Sequence, residues 1–357
     1  MMSDKMNDFL KWFNNPSQRE DREKAMEMSG IPLEIRTRRL LTELRYTVSR
    51  AYYQSEEENV RELDFLATKQ LGQCPLARGQ IAFSLHVLGE CKHSSTHDFF
   101  AFQAEQVENM LLLSAFPLLF SRETITSAPF SSVLGSLKYH FAFPFVTDRI
   151  VEVHADNYKT RNKKNYEDEM THGACEALLS ASIHFKNMNQ KLYDIERRRL
   201  FSPLQNDYRQ ISEKMPGATP RQLVKQLIRN NPVTIWDDFS YFPVTFGVPM
   251  LVIDDNRGLV TTVLRDDGSV MFKDDVGLVL YPYVPENIQQ FQEAGAVGTL
   301  PVIICKCSSI TNAVKVIEDG SVKVIEQFKA LLRARPESLL EEYLVTEIQL
   351  QRKEGIL

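Results

Sequence analysis

The chain has 357 residues, 43% of them hydrophobic and 25% charged, which is the composition of an ordinary globular protein with room for two domains. Its formal net charge of −5 does not indicate a generic nucleic-acid binder, since phosphate binding favours a basic surface. No apolar run approaches the roughly 20 residues that span a bilayer, and no signal-peptide core is recognisable, so a cytoplasmic location without membrane contact is expected.

A helix is predicted from Ile31 to Leu44. Pro32 lies in its first turn, where a missing N–H costs little. Apolar residues then recur at helical spacing, with Glu34 at the edge of their stripe. The stripe consists of Leu33, Thr37, Leu40, Leu41 and Leu44.

A hairpin is predicted next, from strands at 46–53 and 60–68 rich in β-branched and aromatic residues. The strand period of two predicts that Glu62 and Asp64 share one face of the second strand. The same period predicts Leu63 and Phe65 on the opposite face.

A third strand is predicted from Gln80 to Lys92, and it ends with Glu90 and Lys92 on one face and Cys91 on the other. Carboxylates are common ligands of divalent cations, so Asp64 and Glu90 are expected to bind a metal together with the main-chain carbonyl of Cys91. Lys92 would orient or help deprotonate the attacking water and offset developing phosphate charge. Taken singly, these residues also suit plain structural roles: Lys92 as a solvated strand end, Asp64 as an acid near a turn, and Glu34 as the i,i+4 partner of Arg38.

Three segments, 29–34 (SGIPLE), 61–67 (RELDFLA) and 89–92 (GECK), resemble the restriction-endonuclease-like superfamily, the PD-(D/E)XK nucleases. They are most similar to standalone bacterial members, in which a helix Glu precedes the hairpin. The resemblance covers residues 27–100 and implies an α/β fold with an α-β-β-β-α-β core, a mixed central sheet flanked by helices. It also implies that Asp64, Glu90 and Lys92 form the catalytic trio and that Glu34 is a further metal ligand. Asp64 is not preceded by the proline of the eponymous motif.

By this resemblance the chain is a nuclease that hydrolyses DNA with Mg²⁺ or Mn²⁺ and suits restriction or antiviral defence. RNA stays open as a substrate, and the interpretation allows a homodimer. Two alternatives stay open as well. One is a nuclease-derived nucleic-acid-binding protein without catalysis, and the other is a structural or interaction protein whose carboxylates are surface acids.

Phosphate contacts are expected from basic and hydroxyl side chains near these motifs. Arginines crowd the first helix and strand, Ser94 and Ser95 follow the third strand, and the run from Lys159 to Lys164 forms a second basic cluster. Solvated faces balanced by neighbouring acids are the alternative for both clusters. The arginines are Arg36, Arg38, Arg39, Arg45 and Arg50.

The expected organisation has four parts. They are an N-terminal helical extension (1–26), a nuclease core with the motifs (27–110), a mostly helical insertion or second half of the core (111–232), and a β-rich part completing the core with terminal helices (233–357). Within them, the patterns predict the following elements: a helix at 105–120, strands at 130–153, a long helix at 165–198, a mobile connection at 199–220, a basic helix at 221–229, a fourth core strand at 250–253, and helices at 314–335 and 339–354.

The remaining polar patterns have structural interpretations. Paired aspartates beside Gly or Asn at 254–258 and 266–268 predict turns. Five scattered cysteines argue against a disulfide framework. Cys305 and Cys307 are predicted to be strand residues.

Overall fold

The computed structural model describes residues 30–54, 59–76, 79–94, 97–103, 143–154, 169–231, 241–265, 267–284, 300–334 and 336–357. These residues form a mixed α/β protein with two mixed sheets. The predictions for 1–26, 105–120, Ser95 and the 159–164 cluster lie outside the described residues.

The described part of the chain contains α-helices and β-strands that we number in chain order. The helices are α1 (Ile31–Glu43), α2 (Glu169–Phe201), α3 (Gln205–Lys214), α4 (Pro220–Asn230), α5 (Ile310–Ala334) and α6 (Pro336–Lys353). The strands are β1 (Thr47–Gln54), β2 (Val60–Leu76), β3 (Gly79–Lys92), β4 (His97–Gln103), β5 (Thr147–His154), β6 (Tyr241–Ile253), β7 (Leu259–Leu264), β8 (Val270–Asp275), β9 (Leu278–Tyr283) and β10 (Leu300–Lys306).

The larger sheet has the strand order β1-β2-β3-β6-β10-β9. Strands β1, β2 and β3 are antiparallel, as the predicted hairpin and third strand require. Strand β6 is parallel to β3 and pairs Lys92 with Ile253, and β10 is parallel to β6. The strand predicted at 250–253 is therefore confirmed as the neighbour of β3, although it begins earlier, at Tyr241. The carboxyl ends of β3, β6 and β10 all meet at one edge.

The smaller sheet has the order β5-β4-β7-β8 and was not predicted as a separate sheet. Its strands β4 and β7 are parallel, and β5 and β8 flank them in antiparallel pairings. A β-bridge between Val146 and Leu280 links this region to the larger sheet. The strand expected within 130–153 is represented by β5.

The larger sheet is buried on both faces, which explains the nearly continuous apolar runs of β3, β6 and β10. One face packs against α1 and α5, forming a core that includes Leu41, Phe65 and Phe328, which we call the α1-side core. The other packs against α2, and this α2-side core includes Leu63 and Leu251. The long helix predicted at 165–198 is confirmed as α2, which buries Ala174, Leu178 and Ala181 in this core.

The prediction of a mobile connection at 199–220 is wrong. The chain there forms a 3-10 turn, Ser202–Leu204, followed by α3. Leu204, Tyr208 and Ile211 are buried at helical spacing, and this stripe outweighs the proline and polar content that suggested a loop. The basic helix is confirmed as α4, and Thr219 and Gln222 form a capping box at its start.

Two further details complete the comparison with the sequence. Cys305 is a strand residue as predicted, but Cys307 lies just beyond β10, in the 3-10 turn Cys307–Ser309. Among the helices of the described ranges, α1 to α6, none is both long and apolar enough to cross a membrane.

Candidate active site

A β-bulge interrupts β2 at the position of the predicted catalytic aspartate. Ser49 pairs with Leu66 and Ala51 pairs with Leu63. One residue of β1 therefore lies opposite two residues of β2. The extra residue falls at Asp64–Phe65, and a bulge of this kind reverses the alternation of side chains. Leu63 consequently lies in the α2-side core and Phe65 in the α1-side core. The prediction that Leu63 and Phe65 share a face is wrong for this reason.

Phe65 crosses over Gly89 of the neighbouring strand. A Cβ built on Gly89 would lie 1.9 Å from Cζ of Phe65, so only glycine fits beneath the ring. Phe65 and Gly89 are paired across the two strands. Asp64 and Glu90 are therefore the next residues along β2 and β3 from this pair.

Asp64 is held through both its side chain and its main chain. Its Oδ2 accepts a hydrogen bond of 2.7 Å from the main-chain N–H of Cys91. Its carbonyl oxygen accepts from Nε of Arg38 at 3.0 Å and also from Nη2 of the same guanidinium. Burial raises the pKa of the Asp64 carboxyl above its usual value, while the Cys91 N–H, Lys92 and Arg38 oppose that shift.

Glu90 is the more deeply buried of the two acids in the predicted trio, with 6% of its surface exposed. Its Oε2 accepts a hydrogen bond of 3.1 Å from Nζ of Lys92, as expected for two residues on one face of a strand. Burial raises the pKa of Glu90 to about 7, and the negative charges of Asp64 and Glu34 contribute in the same direction. The charge and hydrogen bond of Lys92 lower the pKa of Glu90, but by less than burial and the two acids raise it.

Glu34 joins the same group from the first turn of α1. Burial raises its pKa, and Asp64 is the next largest cause, while Arg38 and Arg50 act in the opposite direction. A helix and two strands therefore place Glu34 and Asp64 near enough to Glu90 for their charges to raise its pKa. We call these three acids and Lys92 the carboxylate cluster.

Sequence reasoning missed Tyr53, at the end of β1. Its side chain is buried, and burial together with the charge of Glu90 raises its pKa. Arg61, which is paired with Tyr53 across the hairpin, forms a side-chain hydrogen bond with it. In the sequence Tyr53 is one more aromatic strand residue, so no signal distinguished it.

The donor chemistry of the carboxylate cluster fits a hard divalent cation. Burial raises the pKa of all three carboxyls, so the positive charge of Mg²⁺ or Mn²⁺ would favour their charged forms. Within the residues that the structure describes, however, no three or more His, Cys, Asp and Glu side chains are grouped as metal ligands. Asp64 Oδ2 is directed to the Cys91 N–H and Glu90 Oε2 to Lys92, and the Cys91 thiol is buried in the α1-side core.

The predicted phosphate-binding residues are largely engaged elsewhere. Arg38 contacts Asp64, and Arg39 forms an exposed ion pair of 3.0 Å with Glu43. Arg50 pairs with Glu62 at 3.2 Å, whereas Arg45 is exposed at the turn after α1 with a φ of 66°. Ser94 is only 3% exposed and its Oγ accepts from the N–H of His97, so it does not lie on the surface where a phosphate contact was expected.

A second group of polar residues lies at the carboxyl ends of β3, β6 and β10. Nδ1 of His93 is 2.7 Å from Oδ2 of Asp254, and the N–H of Asn256 donates to Oδ1 of Asp254. Arg36 forms an ion pair of 3.0 Å with Asp255 and donates to Sγ of Cys307. We call His93, Asp254, Asp255, Arg36 and Cys307 the edge cluster. Its aspartates follow a strand, in agreement with the turn predicted there.

Comparison of the chain with family models, with curated proteins and with solved structures found no match in any of the three.

Proposed function

We propose that this protein is a metal-dependent nuclease of the restriction-endonuclease-like type, hydrolysing phosphodiester bonds of DNA with Mg²⁺ or Mn²⁺. The observation that carries the proposal is the carboxylate cluster. Glu34, Asp64 and Glu90 come from α1, β2 and β3, and their charges act on one another beside Lys92.

The order of elements supports the same proposal. A helix carrying Glu34 precedes three antiparallel strands, and the third ends in Glu90 and Lys92. A long helix, α2, covers one face of these strands, and a parallel strand, β6, is added from much later in the chain. Two strands, β4 and β5, and two helices, α3 and α4, lie between these elements in the chain, and without them the order is the α-β-β-β-α-β that the resemblance implies.

Asp64, Glu90, Glu34 and the Cys91 carbonyl would hold the metal. When bound, it would lower the pKa of water and offset charge on the reacting phosphate. Lys92 Nζ, already 3.1 Å from Glu90, would hold the attacking water. The attacking water would lose one proton to solvent as its oxygen forms the bond to phosphorus, and the leaving oxygen would take up a proton as its own bond to phosphorus breaks. Because Glu90 is only 6% exposed, its interactions with Lys92 and the metal would be stronger than in bulk water.

A divalent-cation titration read out by thermal unfolding tests the proposal, with plasmid cleavage measured in parallel. A cation at 100 times its dissociation constant should stabilise the wild type by about 2.7 kcal/mol. Asp64→Ala should lose this stabilisation, whereas Asp255→Asn, from the edge cluster, should keep it. Each outcome separates the alternatives. Stabilisation without cleavage supports a nuclease-derived binding protein, and the absence of both supports a structural protein.

A further inference from the structure

The bulge in β2 requires bonds other than the strand ladder to keep Asp64 in one position. An extra residue interrupts the regular pairing, so its main chain loses the partners that a flat strand would supply. Asp64 lies in this interruption, because β1 and β2 are paired at Leu63 and again at Leu66 but not at the two residues between them.

Three contacts replace the missing ladder. Phe65 is fixed over Gly89, and the Asp64 carboxylate accepts from the Cys91 N–H. The third contact comes from outside the sheet, where Arg38 directs both Nε and Nη2 to the Asp64 carbonyl. A guanidinium is a planar, rigid donor, so two bonds to one oxygen define the position of that oxygen closely.

Arg38 is itself fixed by the helix that carries it. Leu33, Thr37 and Leu41 are buried and anchor α1 against the α1-side core. Arg38 is partly buried beside this stripe, one turn after Glu34. The next residue provides a contrast within the same helix, since the Arg39 side chain is 80% exposed and reaches only Glu43.

We propose that Arg38 is a positioning residue, which holds the bulged main chain of Asp64 so that its carboxylate faces Glu90 and Lys92. The inference rests on the proposed function, and it replaces the phosphate-contact role that the sequence suggested for Arg38. Its guanidinium is committed to a main-chain oxygen at the site, whereas a phosphate contact requires donors directed to the substrate.

The test compares Arg38→Ala, Arg38→Lys and the control Arg39→Ala. Mn²⁺ affinity is measured by electron paramagnetic resonance of the free ion, and kcat and KM by DNA cleavage at several salt concentrations. Arg38→Ala should weaken Mn²⁺ binding about 10–100-fold, the usual effect of removing a group that orients a metal ligand. KM for DNA and its salt dependence should be unchanged, and Arg39→Ala should match the wild type in Mn²⁺ affinity.

Arg38→Lys keeps the charge but loses the two-donor geometry, so it should retain a folded protein and still lose Mn²⁺ affinity, less than Arg38→Ala does. If Arg38→Ala does not fold, the lysine variant decides. The inference is overturned if the variants bind Mn²⁺ as the wild type does, or if the only change is a higher KM with weaker salt dependence. A wild type that neither binds Mn²⁺ nor cleaves DNA would instead refute the proposed function, and this inference with it.

Discussion

The carboxylate cluster and the edge cluster lie at the ends of neighbouring strands, but their acids differ in how far their negative charge is balanced by nearby donors and cations. In the edge cluster, Asp254 has His93 and a main-chain N–H as partners, and Asp255 has Arg36 and the N–H of Ser308. In the carboxylate cluster, burial raises the pKa of Glu34, Asp64 and Glu90, and the charge of Asp64 adds to the rise at Glu34 and Glu90.

On the proposed function, this difference separates acids that stabilise the fold from acids that would bind a metal. Buried charges are ordinarily paired, and an acid that meets two or three donors has its bonding satisfied within the chain. Acids that are buried near one another with too little positive charge are typical of functional sites. The four predictions that follow test whether the two clusters really differ in this way.

The largest expected effect is on cleavage. Asp64→Ala and Glu90→Ala should each lower kcat/KM at least about 10³-fold, because each removes a proposed metal ligand. Asp254→Asn, which changes an acid of the edge cluster, should leave kcat/KM near the wild-type value once its thermal stability is matched by choice of temperature. Plasmid nicking under Mg²⁺ measures all three. Equal losses in the two clusters would remove the distinction between them.

Lys92 should have the next largest effect. Lys92→Ala should lower kcat about 10²-fold, because the proposed role of its ammonium is to stabilise charge that develops during the reaction. Metal affinity and DNA affinity should remain, so uncleaved complexes should accumulate in a gel-shift assay with Mg²⁺. Lys306→Ala, at the end of β10, is the matched control. Loss of DNA binding in Lys92→Ala would assign this lysine to substrate binding instead.

The sequence predicted the local elements of the site better than their geometry. The α1 stripe, the hairpin and the apolar β3 follow from residue periodicity, and all three are confirmed. The bulge at Asp64 was not predictable, because the alternation of polar and apolar residues in the β2 sequence does not show where an extra residue interrupts the pairing with β1. The edge cluster and the smaller sheet were missed for another reason. They depend on which distant strands pair, and β6, β7 and β10 carry no local signal of their neighbours.

The third prediction concerns the free energy of unfolding as a function of pH without divalent cations. Glu90 has a pKa of about 7 when folded and an ordinary value near 4.5 when unfolded, so the folded state retains the proton longer. The contribution of Glu90 to stability is therefore complete below about pH 4.5 and is lost as the pH rises through 7. The loss should be about 3 kcal/mol.

Urea unfolding of the wild type and Glu90→Gln at several pH values between 4.5 and 8 measures this loss, because glutamine does not titrate. Stability of the wild type relative to Glu90→Gln should fall with rising pH, and saturating Mg²⁺ should reduce the fall by favouring the charged carboxylate. Glu43→Gln, at an exposed acid of α1, should show no such difference. Parallel pH profiles for the wild type and Glu90→Gln would mean that Glu90 is already compensated, like the acids of the edge cluster.

The smallest expected effect is on the salt dependence of DNA binding, and it tests whether the substrate approaches the carboxylate cluster across α1. Arg39 pairs with Glu43, which lies outside both clusters, and Arg45 is exposed at the turn after α1. Arg39→Glu combined with Arg45→Glu should weaken binding at every DNA sequence. It should also reduce the log–log salt slope by roughly 0.9 for each phosphate that the protein no longer neutralises on duplex DNA. Mn²⁺ affinity should be unchanged, which distinguishes this double variant from Arg38→Ala.

Arg209→Glu with Arg229→Glu, on α3 and α4, is the control for net charge. An equal change of slope in both double variants would indicate a general charge effect and no specific path across α1.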